Sequence, residues 1–283
     1  MDGAMVNVTA VRDVRDVLRS DCSGNVTIDP SWWSWAGAHG GYVAALALTE
    51  MRAHLSEQHG EPGPVQALSA HFLAPVDERP LTLNAVVERA GRRASVSTFS
   101  GEQDGTAVLV GSAVFGAAGL RPGSAPDRGP GYDGLPMPAL PEAARCEPQT
   151  LPMQLAAFAQ YLEIRPATAA RPLAGGPDAE LTAWVRFVDG RPLDAEALVV
   201  LVDALPPALF ACWTVPRPVP TAQLTVHFTD ALVSGPVQEW ALVRIRTEHA
   251  GSGWAVDDSA VWAADGRLLA LARQSRTVLG EQA

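Results

Sequence analysis

The side chains best equipped for chemistry in this 283-residue chain stand where the chain nearly repeats itself. Residues 64–72 read Pro-Val-Gln-Ala-Leu-Ser-Ala-His-Phe and residues 220–228 read Pro-Thr-Ala-Gln-Leu-Thr-Val-His-Phe. Pro64 pairs with Pro220, Leu68 with Leu224, and His71-Phe72 with His227-Phe228. Each copy then runs through an alternating stretch to an Asp-Gly turn, Asp104-Gly105 or Asp265-Gly266, and a last apolar run. Polar groups distinguish the copies: Thr221 stands where the first has Val65, and Gln274 where it has Ala113. Asp203 closes a wholly apolar run, 197–202. A carboxylate there must find partners or take up a proton, because unpartnered burial disfavours its charge. An amide donates to a water and accepts from it at once, which suits orienting a nucleophile. Duplication with polar groups in one copy only points to an asymmetric active site.

Each of these residues also has a plainer role open to it. Asp203 could cap a turn, Thr221 could serve as a β-branched strand residue, and Gln274 could face outward. His39-Gly40-Gly41 opens an apolar run, where glycines permit close approach and free N–H groups attract developing negative charge. A carbonyl oxygen gaining charge under attack is such an acceptor. His71 and His227 survive in both copies, which fits a shared structural job. Trp32, Trp33 and Trp35 are candidates for a channel wall, with core packing as the alternative. No Gly-x-Ser-x-Gly elbow, no cysteine at a helix start and no Gly-x-Gly-x-x-Gly fingerprint occurs. The six histidines lack metal-ligand spacing, so neither metal nor cofactor is expected.

The elements that must position these groups follow from pattern. Residues 42–51 are Ala-rich and apolar nearly all round, with no breaker until Gly60, and predict a buried helix. Strands are expected at about 65–74, 80–89, 93–101 and 106–117. In the second half a strand at 181–187 precedes a helix over 194–203, with Asp194 as N-cap and Pro206-Pro207 ending it. Strands follow at about 221–229, 237–248, 252–263 and 267–278. Helix then antiparallel strands, twice, is an α+β plan of two units, 1–119 and 152–283. The Pro/Gly-crowded segment 120–151 reads as a linker.

Composition narrows the partners. With 47% hydrophobic and 18% charged residues the chain is a well-buried globular protein. A net charge of −10 disfavours nucleic acid. No stretch is apolar for long enough to span a bilayer, and the charged N-terminus is unlike a secretory signal. Three scattered cysteines, Cys22, Cys146 and Cys212, suit a reducing cytoplasm.

These features resemble the double hotdog thioesterases of the acyl-CoA thioesterase II type. The matching residues are His39-Gly40-Gly41, Ala70-His71-Phe72-Leu73-Ala74-Pro75 and the duplicated layout, over roughly 20–118 and 175–280. The resemblance implies two tandem hotdog units, each a long central helix wrapped by a curved antiparallel sheet. It also implies hydrolysis of an acyl-CoA or acyl-carrier-protein thioester in lipid or polyketide metabolism. Asp203, Thr221 and Gln274 would hold the attacking water, and His39, Gly40, Gly41, His71 and Trp35 would contact substrate. Many relatives carry an Asp-His pair two and three residues after the Thr, where this chain has Gln223 and Leu224. A hotdog dehydratase or hydratase working through His39 or His71, and a non-catalytic acyl-thioester-binding module, are the competing readings. A homo-oligomer is left open.

Overall fold

The computed structural model describes residues 25–35, 37–117, 132, 134–233 and 235–280. The short strands β1 (Asn25–Val26), β2 (Trp33–Ser34) and β3 (Gly37–Ala38) lead into helix α1 (Gly40–His59). Strands β4 (Val65–Phe72), β5 (Leu81–Ala90), β6 (Ala94–Gln103) and β7 (Thr106–Gly116) complete the first half. The second half has β8 (Leu162–Pro166), β9 (Glu180–Phe187), helix α2 (Ala195–Leu201) and strands β10 (Thr221–Phe228), β11 (Ala241–Gly251), β12 (Trp254–Ala263) and β13 (Leu268–Thr277).

Eleven strands form one sheet in the order β1-β5-β6-β7-β4-β10-β13-β12-β11-β9-β8. The halves meet where β4 pairs antiparallel with β10. Ser69 and Thr225, equivalent positions of the repeat, stand opposite each other and share a 3.2 Å hydroxyl hydrogen bond. His71 faces Gln223 and Ala67 faces His227, the same pairing read from the two sides. The seam is thus an approximate two-fold axis, and joining there removes an open edge from each half.

Both helices pack in one continuous core. From Gly41 to Leu48 every residue of α1 is buried, as a breaker-free apolar run requires. All seven residues of α2 are buried too, and Asp194 caps it by accepting from the Ala197 N–H. This second helix is shorter than the sequence pattern suggests. Asp203 N–H bonds to Val200 O at 3.2 Å and Ala204 N–H to Leu201 O at 3.1 Å, so the chain tightens to i→i−3 bonding at Asp203. The helices run antiparallel. The start of α1 lies beside Val199–Asp203, while Arg52 further along pairs with Glu196 at 3.0 Å.

Strand alternation puts a second, smaller cluster on the opposite face of the sheet, built on Trp184, Leu242, Ala260, Trp262 and Leu268. Residues 134–151 have almost no regular structure, yet Leu135, Met137, Leu140, Ala143 and Cys146 cover that cluster. The Trp184 and Trp262 indoles donate to Pro141 O (2.8 Å) and Leu135 O (3.0 Å). The remainder of the expected linker, 120–131 and 133, lies outside the described residues, as do Cys22 and the N-terminal stretch.

Candidate active site

Asp203, Thr221 and Gln274 come from three different elements and meet. Gln274 Nε2 donates to Asp203 Oδ1 at 2.7 Å and reaches Thr221 Oγ1 at 3.4 Å. Asp203 stands just past α2, Thr221 opens β10, and Gln274 faces the core from β13 beside Ala270 and Ala272. The Asp203 carboxylate also accepts from the start of α1: the Gly41 N–H lies 2.9 Å from Oδ2. A Cβ on Gly41 would sit 2.6 Å from Val199 O, so only glycine lets the helices approach this closely. Gly40 is the first helical residue, and a Cβ on it would meet Asp203 Oδ2 at 3.2 Å and the Phe72 ring at 3.3 Å.

His39 belongs to the site as a brace. Its Nδ1 accepts from the Tyr42 N–H at 3.1 Å, which leaves Nε2 as the ring's donor. Nε2 then lies 2.8 Å from Asp203 O and 3.4 Å from Oδ2, and the ring stacks on Phe158. Burial alone would push the Asp203 carboxyl upward. His39, Arg276, the Gln274 amide and the Gly41 N–H outweigh it and hold the group below its usual value, so it is ionised at neutral pH.

Two residues of this constellation were not singled out in the sequence. Arg276 is 4% exposed, and it donates to Thr221 Oγ1 (2.8 Å), Gln274 Oε1 (2.6 Å) and Asp203 Oδ1 (3.2 Å). Asp257, 1% exposed, lies 2.9 Å from Arg276 Nε. Alternation from Gln274 puts residue 276 on the same face of the strand, and that was the available signal.

Two sequence candidates are not brought to Asp203. His71 is exposed and alternates with the core-facing Leu68, Ala70 and Phe72, so it projects from the opposite face of the sheet. Its strand neighbour Phe72 approaches the site instead. Trp35 is 38% exposed at φ 55° and packs edge-on against Phe210 with centroids 6.4 Å apart. Trp32, stacked between Tyr42 and Tyr161, belongs to the core. Gly41 departs from its expected part as well, because its N–H holds the carboxylate and is not left for a substrate oxyanion. Among the described residues no acceptor takes the Gly40 N–H. The first-half counterparts Val65, Ala113 and Phe115 are apolar and buried. Among the described residues no group of three His, Cys, Asp or Glu side chains could hold a metal, and no helix is long and apolar enough to cross a membrane.

Residues 29–116 match the family model described as the acyl-CoA thioesterase N-terminal domain, and residues 138–278 match the acyl-CoA thioesterase C-terminal domain. No curated protein matches the chain in sequence. Among solved structures, a hot dog fold protein of unknown function from Alicyclobacillus acidocaldarius is 25% identical with a TM-score of 0.79, covering 91% of this chain and 93% of that one. A candidate thioesterase II from Thermobifida fusca is 22% identical with a TM-score of 0.74, covering 90% and 92%. The tesB protein of Mycobacterium avium subspecies paratuberculosis is 18% identical with a TM-score of 0.68, covering 95% and 100%. At their lower identities the last two speak for the fold.

Proposed function

The chain belongs to the double hotdog acyl-CoA thioesterase family, and on that premise we propose that it hydrolyses acyl thioesters with a water held by Asp203, Thr221 and Gln274. The observation that carries this reading is the 2.7 Å bond from Gln274 to an ionised, buried Asp203, with Thr221 beside both. Asp203 Oδ1 is filled by Gln274 and Arg276, whereas Oδ2 accepts one hydrogen bond, from the Gly41 N–H, with His39 Nε2 further off at 3.4 Å. Oδ2 therefore keeps capacity to accept a proton from the water. Thr221 accepts from Arg276 and has its own proton to offer to the water oxygen.

The water oxygen bonds to the thioester carbon as Asp203 takes its proton. The Gly40 N–H and the positive end of α1 favour the negative charge that develops on the carbonyl oxygen. The C–S bond then breaks, the leaving sulfur takes the proton back from Asp203, and a free acid and a thiol depart. A carboxylate base of this kind contributes about 10²–10⁴-fold.

Both ring nitrogens of His39 are already engaged, so it is not free to serve as the base of a dehydratase. His71 faces away from Asp203. The decisive experiment incubates the protein with acetyl-, octanoyl-, palmitoyl- and benzoyl-CoA and with an acyl-carrier protein. Thiol release supports hydrolysis. A conjugated enoyl product from a β-hydroxyacyl-CoA would establish the dehydratase, and retention of ligand without turnover a binding module.

A further inference from the structure

A guanidinium sealed inside a fold is strongly disfavoured unless its N–H groups are matched. Arg276 is matched by the three residues of the site. It donates to Thr221 Oγ1, Gln274 Oε1 and Asp203 Oδ1, while Nε stands 2.9 Å from Asp257 Oδ2. The Asp257 contact is an ion pair whose angle falls outside hydrogen-bond geometry. Asp257 is held in turn by Thr247, whose hydroxyl donates to Oδ1 at 2.6 Å.

Arginine only donates, so everything it touches must present an acceptor. A side-chain amide has two orientations of nearly equal shape. With Oε1 on Arg276, Gln274 turns its NH2 to the Asp203 carboxylate. The reverse orientation would set NH2 against guanidinium and carbonyl oxygen against carboxylate, two repulsive contacts. Thr221 must likewise accept from Arg276, which directs its proton elsewhere. On the reading that these three residues hold the attacking water, we propose that Arg276 is the positioning residue that fixes their donor and acceptor polarity. It does so by locking the Gln274 amide, orienting the Thr221 hydroxyl and keeping Asp203 ionised. It acts through these groups and touches no substrate.

The groups facing Asp203 are His39 and the Gly41 N–H from α1, Gln274 and Arg276 from β13, and Thr221 from β10, with Asp257 of β12 behind Arg276. Arginine is charged at every working pH, so Arg276 is the fixed cation of the set. Removing it raises the Asp203 pKa and moves the acid limb of kcat to higher pH.

The test compares Arg276→Met/Asp257→Asn with Asp257→Asn, so that no carboxylate is orphaned. Alongside them run Arg276→Lys, which keeps the charge but loses the fork, and Asp203→Asn. Each is followed by thiol release from the CoA thioester that the wild type turns over best, across pH, with folding checked by circular dichroism. The double variant should lose about tenfold or more in kcat with KM within about threefold, and its acid limb should move to higher pH. Arg276→Lys should keep the limb and lose kcat. If Asp203→Asn is inactive while the double variant keeps kcat within about threefold and an unmoved limb, Arg276 has no positioning role. Should the double variant fail to fold, the same kcat threshold in Arg276→Lys overturns the proposal. Full activity in Asp203→Asn instead removes the assignment of the attacking water to Asp203, and the role of Arg276 with it.

Discussion

Replacing Asp203 with Asn keeps the outline of the side chain and reverses half of its hydrogen-bond chemistry. The carboxylate now accepts on both oxygens, from Gln274 at 2.7 Å and Arg276 at 3.2 Å on one, and from Gly41 at 2.9 Å on the other. An amide must turn its NH2 toward one of these donor sets, and either choice leaves donors facing donors in a buried site. One unsatisfied buried group costs about 1–3 kcal/mol. At about 2–4 °C per kcal/mol, Tm should fall by about 2–12 °C. Catalysis should suffer far more, because the amide cannot accept the water's proton: kcat should drop by about 10²–10⁴-fold with little change in KM. The measurement is thiol release with a colorimetric trap, well below the variant's Tm so that unfolding does not contribute. A folded Asn variant with kcat within about threefold of wild type would refute the general-base assignment.

Three further outcomes follow from the same geometry. Thr221→Ala and Gln274→Ala should each lower kcat less than the Asp203 change, and the double variant should lose less than the sum, because both hold one water; steady-state kinetics of the cycle checks this. Gly41→Ala should cost about 1–3 kcal/mol, since its Cβ meets the Val199 backbone oxygen at 2.6 Å and drives α1 from Asp203; unchanged Tm and kcat would contradict it. Val65→Thr should leave kcat unchanged, since Ala113 and Phe115 provide no polar partner there, and should cost about 1–3 kcal/mol for its buried hydroxyl; thermal unfolding and thiol release together test both halves of that statement.

Much of this arrangement could be read from the chain because repetition and period act locally. The Pro64 and Pro220 copies and the two Asp-Gly turns located β4, β7, β10 and β13 to within a few residues, and polar contrasts between the copies singled out Thr221 and Gln274. Arg276 and Asp257 escaped because a charged strand residue is usually a solvated one. Their burial depends on a partner 19 residues away that only the β12–β13 register supplies, with Asp257 opposite Gln274. His71 stands apart from Asp203 for a related reason: it lies next to Phe72 in sequence, and adjacent strand residues point to opposite faces. The shortness of α2 was also hidden, because the tightening at Asp203 answers to the start of α1, some 160 residues earlier. The packing of 134–146 was unreadable as well, since Pro and Gly report what a segment cannot form and nothing of what it lies against.

The Ser69–Thr225 pair at the seam spans 156 residues of chain, and that distance is also a time. A ribosome adding roughly 5–20 residues per second finishes β4 roughly 8–30 s before β10 exists to pair with it. Throughout that interval the nascent first half presents an unpaired strand edge together with the face of α1 that will later meet α2. In the completed protein both β4 and β10 are interior strands. The hazard of aggregation is therefore concentrated in synthesis, and it passes when the second half closes the seam.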